Sequence, residues 1–319
     1  MWVGQVTVPI LSQRPGNKIL PFIVFVIALH SVHATGQTAQ VPPTDSIAGK
    51  QPYAVSVPFY VNDKQGMPVR ITQADLSILD DRLPPQSVAG FQRGSEVPLR
   101  LGVLIDKSNS QRKSSLYRPG LEAAFAFLNQ VLTAPEDRAF VELVDTVPTA
   151  TRFMEKTQLG AIKMDATPGG GTALFDAVQL ASNQLMNTDP VRPARRVLVI
   201  LSDGGDNASH ISLNAAIASA QRATTVVFTV STSEEENARS NVVLERLAKE
   251  TGGAAFLHVR GKNMPKVFSE IQGQIDGMYT VTYIPPSREA GRYREIEIRV
   301  TSDKHLHVRA PKGYYSASQ

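Results

Sequence analysis

The chain has 319 residues, 42% of them hydrophobic and 19% charged, the composition of an ordinary globular protein with room for one sizeable core and a smaller one. Its formal charge of +4 falls to +2 once Arg14 and Lys18 of a leader-like segment are set aside, too mild a balance for a nucleic-acid or anionic-membrane binder. With no cysteine, thiolate catalysis, sulfur-ligated metal centres and disulfide staples are excluded, so packing has to supply the stability.

Residues 1–34 read as a signal peptide. Arg14 and Lys18 precede an apolar stretch from Ile19 to Leu29, and Val32-His33-Ala34 supplies a small residue at which cleavage is expected. The apolar stretch is shorter than the roughly 18 residues needed to span a bilayer and contains Pro21. An exported chain without cysteine points to a bacterial protein that is secreted, periplasmic or held in the cell envelope. Residues 35–51, rich in Gln, Thr, Pro and Ala, form an expected linker.

From 52 to 97 the pattern is that of a short β module. Tyr53 to Val61 alternates, Asp63-Lys64-Gln65-Gly66 makes a turn, and Leu76 to Leu79 resumes a strand, the module ending around Phe91. The character then changes. Leu99 to Ile105 is a nearly continuous apolar run ending in Asp106, as expected of a strand buried on both faces of a parallel sheet. Helices are predicted over 116–132, 173–185, 213–223, 241–251 and 264–275, and strands over 139–144, 196–201, 224–230 and 254–259. This alternation predicts a doubly wound α/β domain over 98–277, with a mostly parallel sheet and helices on both faces. Strands at 279–283, 295–300 and 305–309 follow. The strands of 278–319 are expected to join the N-terminal ones in a small β-sandwich, because neither set alone makes a sheet with a buried face.

Chemistry concentrates in three loops. Asp106-Lys107-Ser108-Asn109-Ser110 follows the first apolar strand, Gly169-Gly170-Gly171-Thr172 opens a helix, and Ser202-Asp203-Gly204-Gly205-Asp206 ends a later strand. In open parallel sheets ligands sit outside the carboxyl ends of the strands, where these loops lie. Asp106, Ser108, Ser110, Thr172 and Asp203 are all hard oxygen donors, which select Mg²⁺, or alternatively Mn²⁺ or Ca²⁺, over softer metals. The spacing of two in Asp106, Ser108 and Ser110 suits a tight turn that points alternate side chains at one centre. Thr172 adds a hydroxyl, and Asp203 can hold a coordinated water. Neutral hydroxyls quench a dication poorly, so the ion is left electrophilic towards one further anionic ligand, such as an Asp or Glu from a partner protein.

The pattern resembles the von Willebrand factor type A domain, where D-x-S-x-S, a Thr after a Gly pair, and D-G at the end of a later strand form a metal-ion-dependent adhesion site. The separations, 66 positions from Asp106 to Thr172 and 31 from Thr172 to Asp203, are similar to that family's spacing. The flanks, with Val61-Asn62-Asp63-Lys64-Gln65-Gly66, Ala74-Asp75-Leu76-Ser77-Ile78-Leu79-Asp80-Asp81, Thr251-Gly252-Gly253, Tyr279-Thr280-Val281-Thr282-Tyr283 and Gly313-Tyr314, resemble a bacterial, largely acidobacterial, family of secreted proteins related to it. The resemblance implies a non-catalytic adhesion module. Two positions depart from it: Asn109 stands where Gly is frequent, and Gln111 where Met is usual. Glu142 occupies a strand position where an apolar residue is usual.

Blander readings exist for each residue. Asp106 and Thr172 could be helix N-caps, Ser108 and Ser110 solvated hydroxyls, and Asp203 the start of a turn with Gly204-Gly205. Asp206 suits a turn or a supporting role better than ligation. The triple glycine lacks the Lys of a phosphate loop, and His30, His33, His210, His258, His305 and His307 lack ligand spacing. A Mg²⁺-dependent phosphatase of the haloacid dehalogenase kind is the rival from another class, but it needs a carboxylate two residues after the first Asp, where this chain has Ser108. A structural envelope protein with a lapsed metal site is the other alternative.

Overall fold

The computed structural model describes residues 53–316 apart from 161, 163–164, 189–192, 236–238, 288 and 304, so the expected signal peptide and linker lie outside the described residues. The chain begins with β1 (Val55–Asn62), β2 (Leu76–Asp80) and β3 (Ser87–Arg93). An α/β block follows: β4 (Leu99–Asp106), α1 (Tyr117–Val131), β5 (Arg138–Val144), β6 (Thr149–Ala150), α2 (Lys156–Leu159), α3 (Leu174–Met186), β7 (Arg195–Ser202), α4 (Leu213–Arg222), β8 (Val226–Ser231), α5 (Arg239–Glu250), β9 (Ala255–Phe256) and α6 (Met264–Asp276). Four more strands end the described chain, β10 (Tyr279–Ile284), β11 (Tyr293–Val300), β12 (His307–Arg309) and β13 (Gly313–Tyr315).

The block is doubly wound, as its alternating pattern predicts. Its sheet has the order β6-β5-β4-β7-β8-β9, parallel throughout except for the short β6. Central β4 is apolar on both faces because helices cover both. Leu101, Val103 and Ile105 pack with Phe127 and Leu128 of α1 and Phe268 and Ile271 of α6, whereas Leu104 packs with Leu174 and Val178 of α3 and Ala216 of α4. Strand order reverses between β4 and β7. The chain leaves β4 for α1 on one face and β7 for α4 on the other, which opens a crevice between the two loops at the carboxyl end.

The N- and C-terminal strands pair with each other. One antiparallel sheet runs β12-β1-β10-β3 and a second β13-β11-β2. Val55, Val57, Phe59 and Val61 alternate inward from β1 and share a core with Val281 and Tyr283 of β10 and, from the second sheet, Ile78, Ile296 and Ile298. Buried Arg195 lies where the block meets these sheets, its Nε donating to the Val97 carbonyl at 2.8 Å and its guanidinium also to the Ile275 carbonyl at 3.0 Å.

Predicted and observed strands differ in several places, and three of these differences have a local reason. Pairing expected from Thr224 begins at Val226, because Thr224 has φ of 47° in the turn that ends α4. Pairing expected from His305 begins at His307, since the His305 amide donates to the Asp303 carboxylate at 2.8 Å instead of to a neighbouring strand. β3 has no counterpart in the sequence reading: its Val88, Gly90 and Phe91 lie on a half-exposed strand with no clean alternation.

Candidate metal centre

Parallel register sets the first contacts. Ile105 of β4 lies beside Leu201 of β7, so Asp106 and Ser202 leave the sheet side by side at the switch point. The Asp106 side chain is fully buried. Its Oδ1 accepts the Ser108 amide at 2.9 Å, and its Oδ2 accepts the Ser202 hydroxyl at 2.6 Å and, at 3.4 Å, the Gln111 amide. Burial pushes the Asp106 carboxyl up to about 6; bonds from Ser202 and Ser108 oppose that rise, and the neighbouring Asp203 carboxylate adds to it. Ser202 Oγ also accepts the Gly204 amide at 3.0 Å, so one hydroxyl holds the first and third loops together.

The first loop turns within two residues. Buried Ser108 brings its Oγ to 2.9 Å from that of Ser110, the pairing expected if alternate side chains face one centre. The 3₁₀ segment Asn109–Lys113 then carries the chain away, with Asn109 accommodated where the family has Gly.

Backbone bonds lock the second loop onto the first. The Gly169 amide donates to the Lys107 carbonyl at 2.7 Å and the Asn109 amide to the Gly170 carbonyl at 3.2 Å. Gly170 has φ of 78°, and a Cβ there would lie 2.1 Å from Asp145 Oδ1, so this position takes only glycine without rearrangement. Asp145 in turn pairs with Lys107 at 3.3 Å and accepts the Ala173 amide on its carbonyl.

Buried Thr172 is not the N-cap of the next helix. α3 starts at Leu174, its N-cap is Ala173, and its first amides are taken by the following loop: Phe175 donates to Asp206 Oδ2 and Ser209 Oγ, both at 3.0 Å. Asp206 thus bonds the start of α3 and Ser209. Asp203 Oδ1 accepts the Gly205 amide at 2.9 Å, which is the turn-forming bond, made by a carboxylate near enough to Asp106 to raise its proton affinity.

The three loops thus meet: Ser202 bonds Asp106, backbone bonds join the Ser108–Ser110 loop to the glycine loop that leads to buried Thr172, and the charge of Asp203 reaches Asp106. Among the described residues no group of three His, Cys, Asp or Glu is placed to hold a metal ion; the five side chains named from the sequence are two carboxylates and three hydroxyls, all hard oxygen donors. These side chains fit a dication by their chemistry, since hard oxygen donors favour hard cations. Sequence reasoning missed Ser202, Asn207, Ser209 and Asp145 as members of the surroundings. Ser202 and Asp145 each directly neighbour a recognised residue or strand end, but nothing in a single sequence shows that their side chains point at the first loop.

The von Willebrand factor type A domain model matches residues 140–270, a span that contains Thr172 and Asp203 and begins after the Asp106 loop. No curated protein sequence matches the chain. Among solved structures, it is similar to a von Willebrand factor type A protein from Catenulispora acidiphila, at 11% identity and a TM-score of 0.47, covering 84% of this chain and 74% of that one. An aerotolerance-related membrane protein from Bacteroides fragilis is matched at 17% identity and a TM-score of 0.41, over 56% of this chain and 98% of that one. The PilB minor pilin from Streptococcus sanguinis is matched at 14% identity and 0.43, over 61% and 63%. Residues 140–270, which lie within the doubly wound block, thus match the von Willebrand factor type A domain.

Proposed function

We propose that the chain is a secreted or envelope-held bacterial module that binds a partner protein through a divalent cation, and that residues 98–277 form its binding domain, inserted between two halves of a β-sandwich over 52–97 and 278–319. The observation that carries this reading is the convergence of buried Asp106 with the Ser108–Ser110 hydroxyl pair, cross-bonded to the loops of Thr172 and Asp203. Asp106, Ser108, Ser110 and Thr172 would hold Mg²⁺, or Mn²⁺ or Ca²⁺ in its place, with Asp203 acting through water. When bound, the cation supplies an electrophilic position for an Asp or Glu of the partner. The protein's part is to hold hydroxyls where carboxylates would quench that charge and to keep the loops rigid through their mutual backbone bonds.

Phosphatase chemistry is disfavoured because the residue two after Asp106 is Ser108, which has no acidic proton to give a leaving group and shares its hydroxyl with Ser110. Among the described residues no helix is long and apolar enough to cross a membrane. Calorimetric titration of the protein with Mg²⁺ and Mn²⁺, beside Asp106→Ala, tests the site. Saturable binding lost in the variant is the expected result; a wild-type protein that takes up neither ion sinks the reading and leaves the fold as a scaffold.

A further inference from the structure

Thr172 lies between a glycine run and a helix that starts two residues later, so neither a strand ladder nor a helical turn fixes its backbone. Asn207 does so. The Thr172 amide donates to Asn207 Oδ1 at 2.9 Å, and the Thr172 carbonyl accepts the Asn207 amide at 2.9 Å and the Ala208 amide at 3.0 Å. Bonds running in opposite directions close a ring between the two residues and immobilise the peptide planes on both sides of Thr172. Once those planes are set, the choice of staggered rotamer alone aims the hydroxyl.

Asn207 also lies in the same loop as Asp203, four residues further on. Its side chain therefore ties the loop that bears one carboxylate to the loop that bears the third hydroxyl. The neighbouring polar residues have separate work: Asp206 and Ser209 take the amides of Phe175 and Asp176 at the start of α3 and make no bond to Thr172. A residue needed only to close a turn has no reason to spend its carbonyl oxygen on a strand-distant amide 35 positions away.

We propose that Asn207 is a positioning residue of the cation site, setting the place of the Thr172 hydroxyl relative to Asp203 without touching the ion; the proposal rests on the metal-binding reading above. Loss of such a supporting partner typically weakens metal binding by about 10- to 100-fold. The essential feature is an oxygen acceptor at the end of a two-carbon side chain, so aspartate preserves it and alanine does not.

The test titrates Mn²⁺ and Mg²⁺ calorimetrically into the wild-type protein, Asn207→Ala and Asn207→Asp, and measures the melting temperature of each in chelator. Expected are a Kd weakened about 10-fold or more in Asn207→Ala and restored to within a few-fold, or tightened by the added charge, in Asn207→Asp. If Asn207→Ala melts lower in chelator yet binds both ions as the wild type does, Asn207 is a structural turn residue and the inference is overturned while the metal site stands. If Asn207→Asp binds as poorly as Asn207→Ala, the acceptor is not what matters and the inference also fails. A wild-type protein that binds neither ion removes the metal reading itself and this inference with it.

Discussion

Glu142 sits in the interior of β5, fully buried, on the face that its neighbours Phe140 and Val144 share with α3, and neither of its carboxylate oxygens has a hydrogen-bond partner among the described residues. Burial without a partner pushes its carboxyl up to about 9. The folded protein therefore holds a proton there at neutral pH that the unfolded chain has released. Because the folded-state value lies above the unfolded one, the stability tied to this group is complete below about pH 4.5 and is lost progressively as pH rises to about 9. Each unit of pH in that window removes about 1.4 kcal/mol. Replacing the side chain by a similar apolar volume takes away both the proton and the unpaired oxygens. Glu142→Leu is expected to be more stable than wild type, by a larger margin at pH 8 than at pH 5. Urea denaturation at the two pH values measures this, and parallel losses in both proteins would contradict it.

Among elements, the packing of β2, β11 and β13 against β10 depends on one carboxylate. Asp80 is fully buried at the end of β2; its Oδ1 accepts Arg294 Nε at 2.6 Å, and its Oδ2 accepts the hydroxyls of Tyr314 at 2.9 Å and Tyr283 at 3.1 Å. Burial, reinforced by the Asp80 charge, raises both tyrosines far above their ordinary range, so they stay neutral donors. These four residues come from four strands of both sheets, and the network fixes how the sheets face each other. Asp80→Ala strands the buried guanidinium of Arg294 with its 3.5 Å contact to Asp81 and leaves two phenols without an acceptor. A loss of about 3–5 kcal/mol is expected from breaking a buried pair on one side. Chemical denaturation of Asp80→Ala against wild type checks the figure, and a loss below about 1 kcal/mol would show the network to be dispensable.

For the whole molecule, the cation reading makes stability a function of metal concentration. A ligand that binds only the folded state stabilises it by about 2.7 kcal/mol at 100 times its Kd. The donors come from loops after β4, before α3 and after β7, so they are assembled only when the sheet is complete. Thermal melting in excess Mg²⁺ is expected to lie several degrees above melting in chelator for the wild type, and to coincide with it for Asp106→Ala. Coincident wild-type curves would mean that no cation binds with useful affinity.

Much of this organisation was legible in the sequence because burial on two faces and burial on one face leave different patterns. The unbroken apolar run from Leu99 to Ile105 signalled a central parallel strand, and the alternation in 295–300 signalled a sheet with one wet face. The contact between the Ser108 and Ser110 hydroxyls was legible because a spacing of two in a turn is local. Edge strand β3 was not, since half-exposed residues carry no clear period. The partners that hold the site were not legible either: the Ser202 hydroxyl on Asp106, the Asn207 ring with Thr172, and Asp145 beneath Gly170 join residues 25 or more positions apart. Sequence by itself determined which chemical groups are available and which strands bring them to the carboxyl edge of the sheet. Only the tertiary structure decided which hydrogen bonds aim them, because side-chain direction across loops follows from strand register and backbone angles that no one-dimensional pattern encodes.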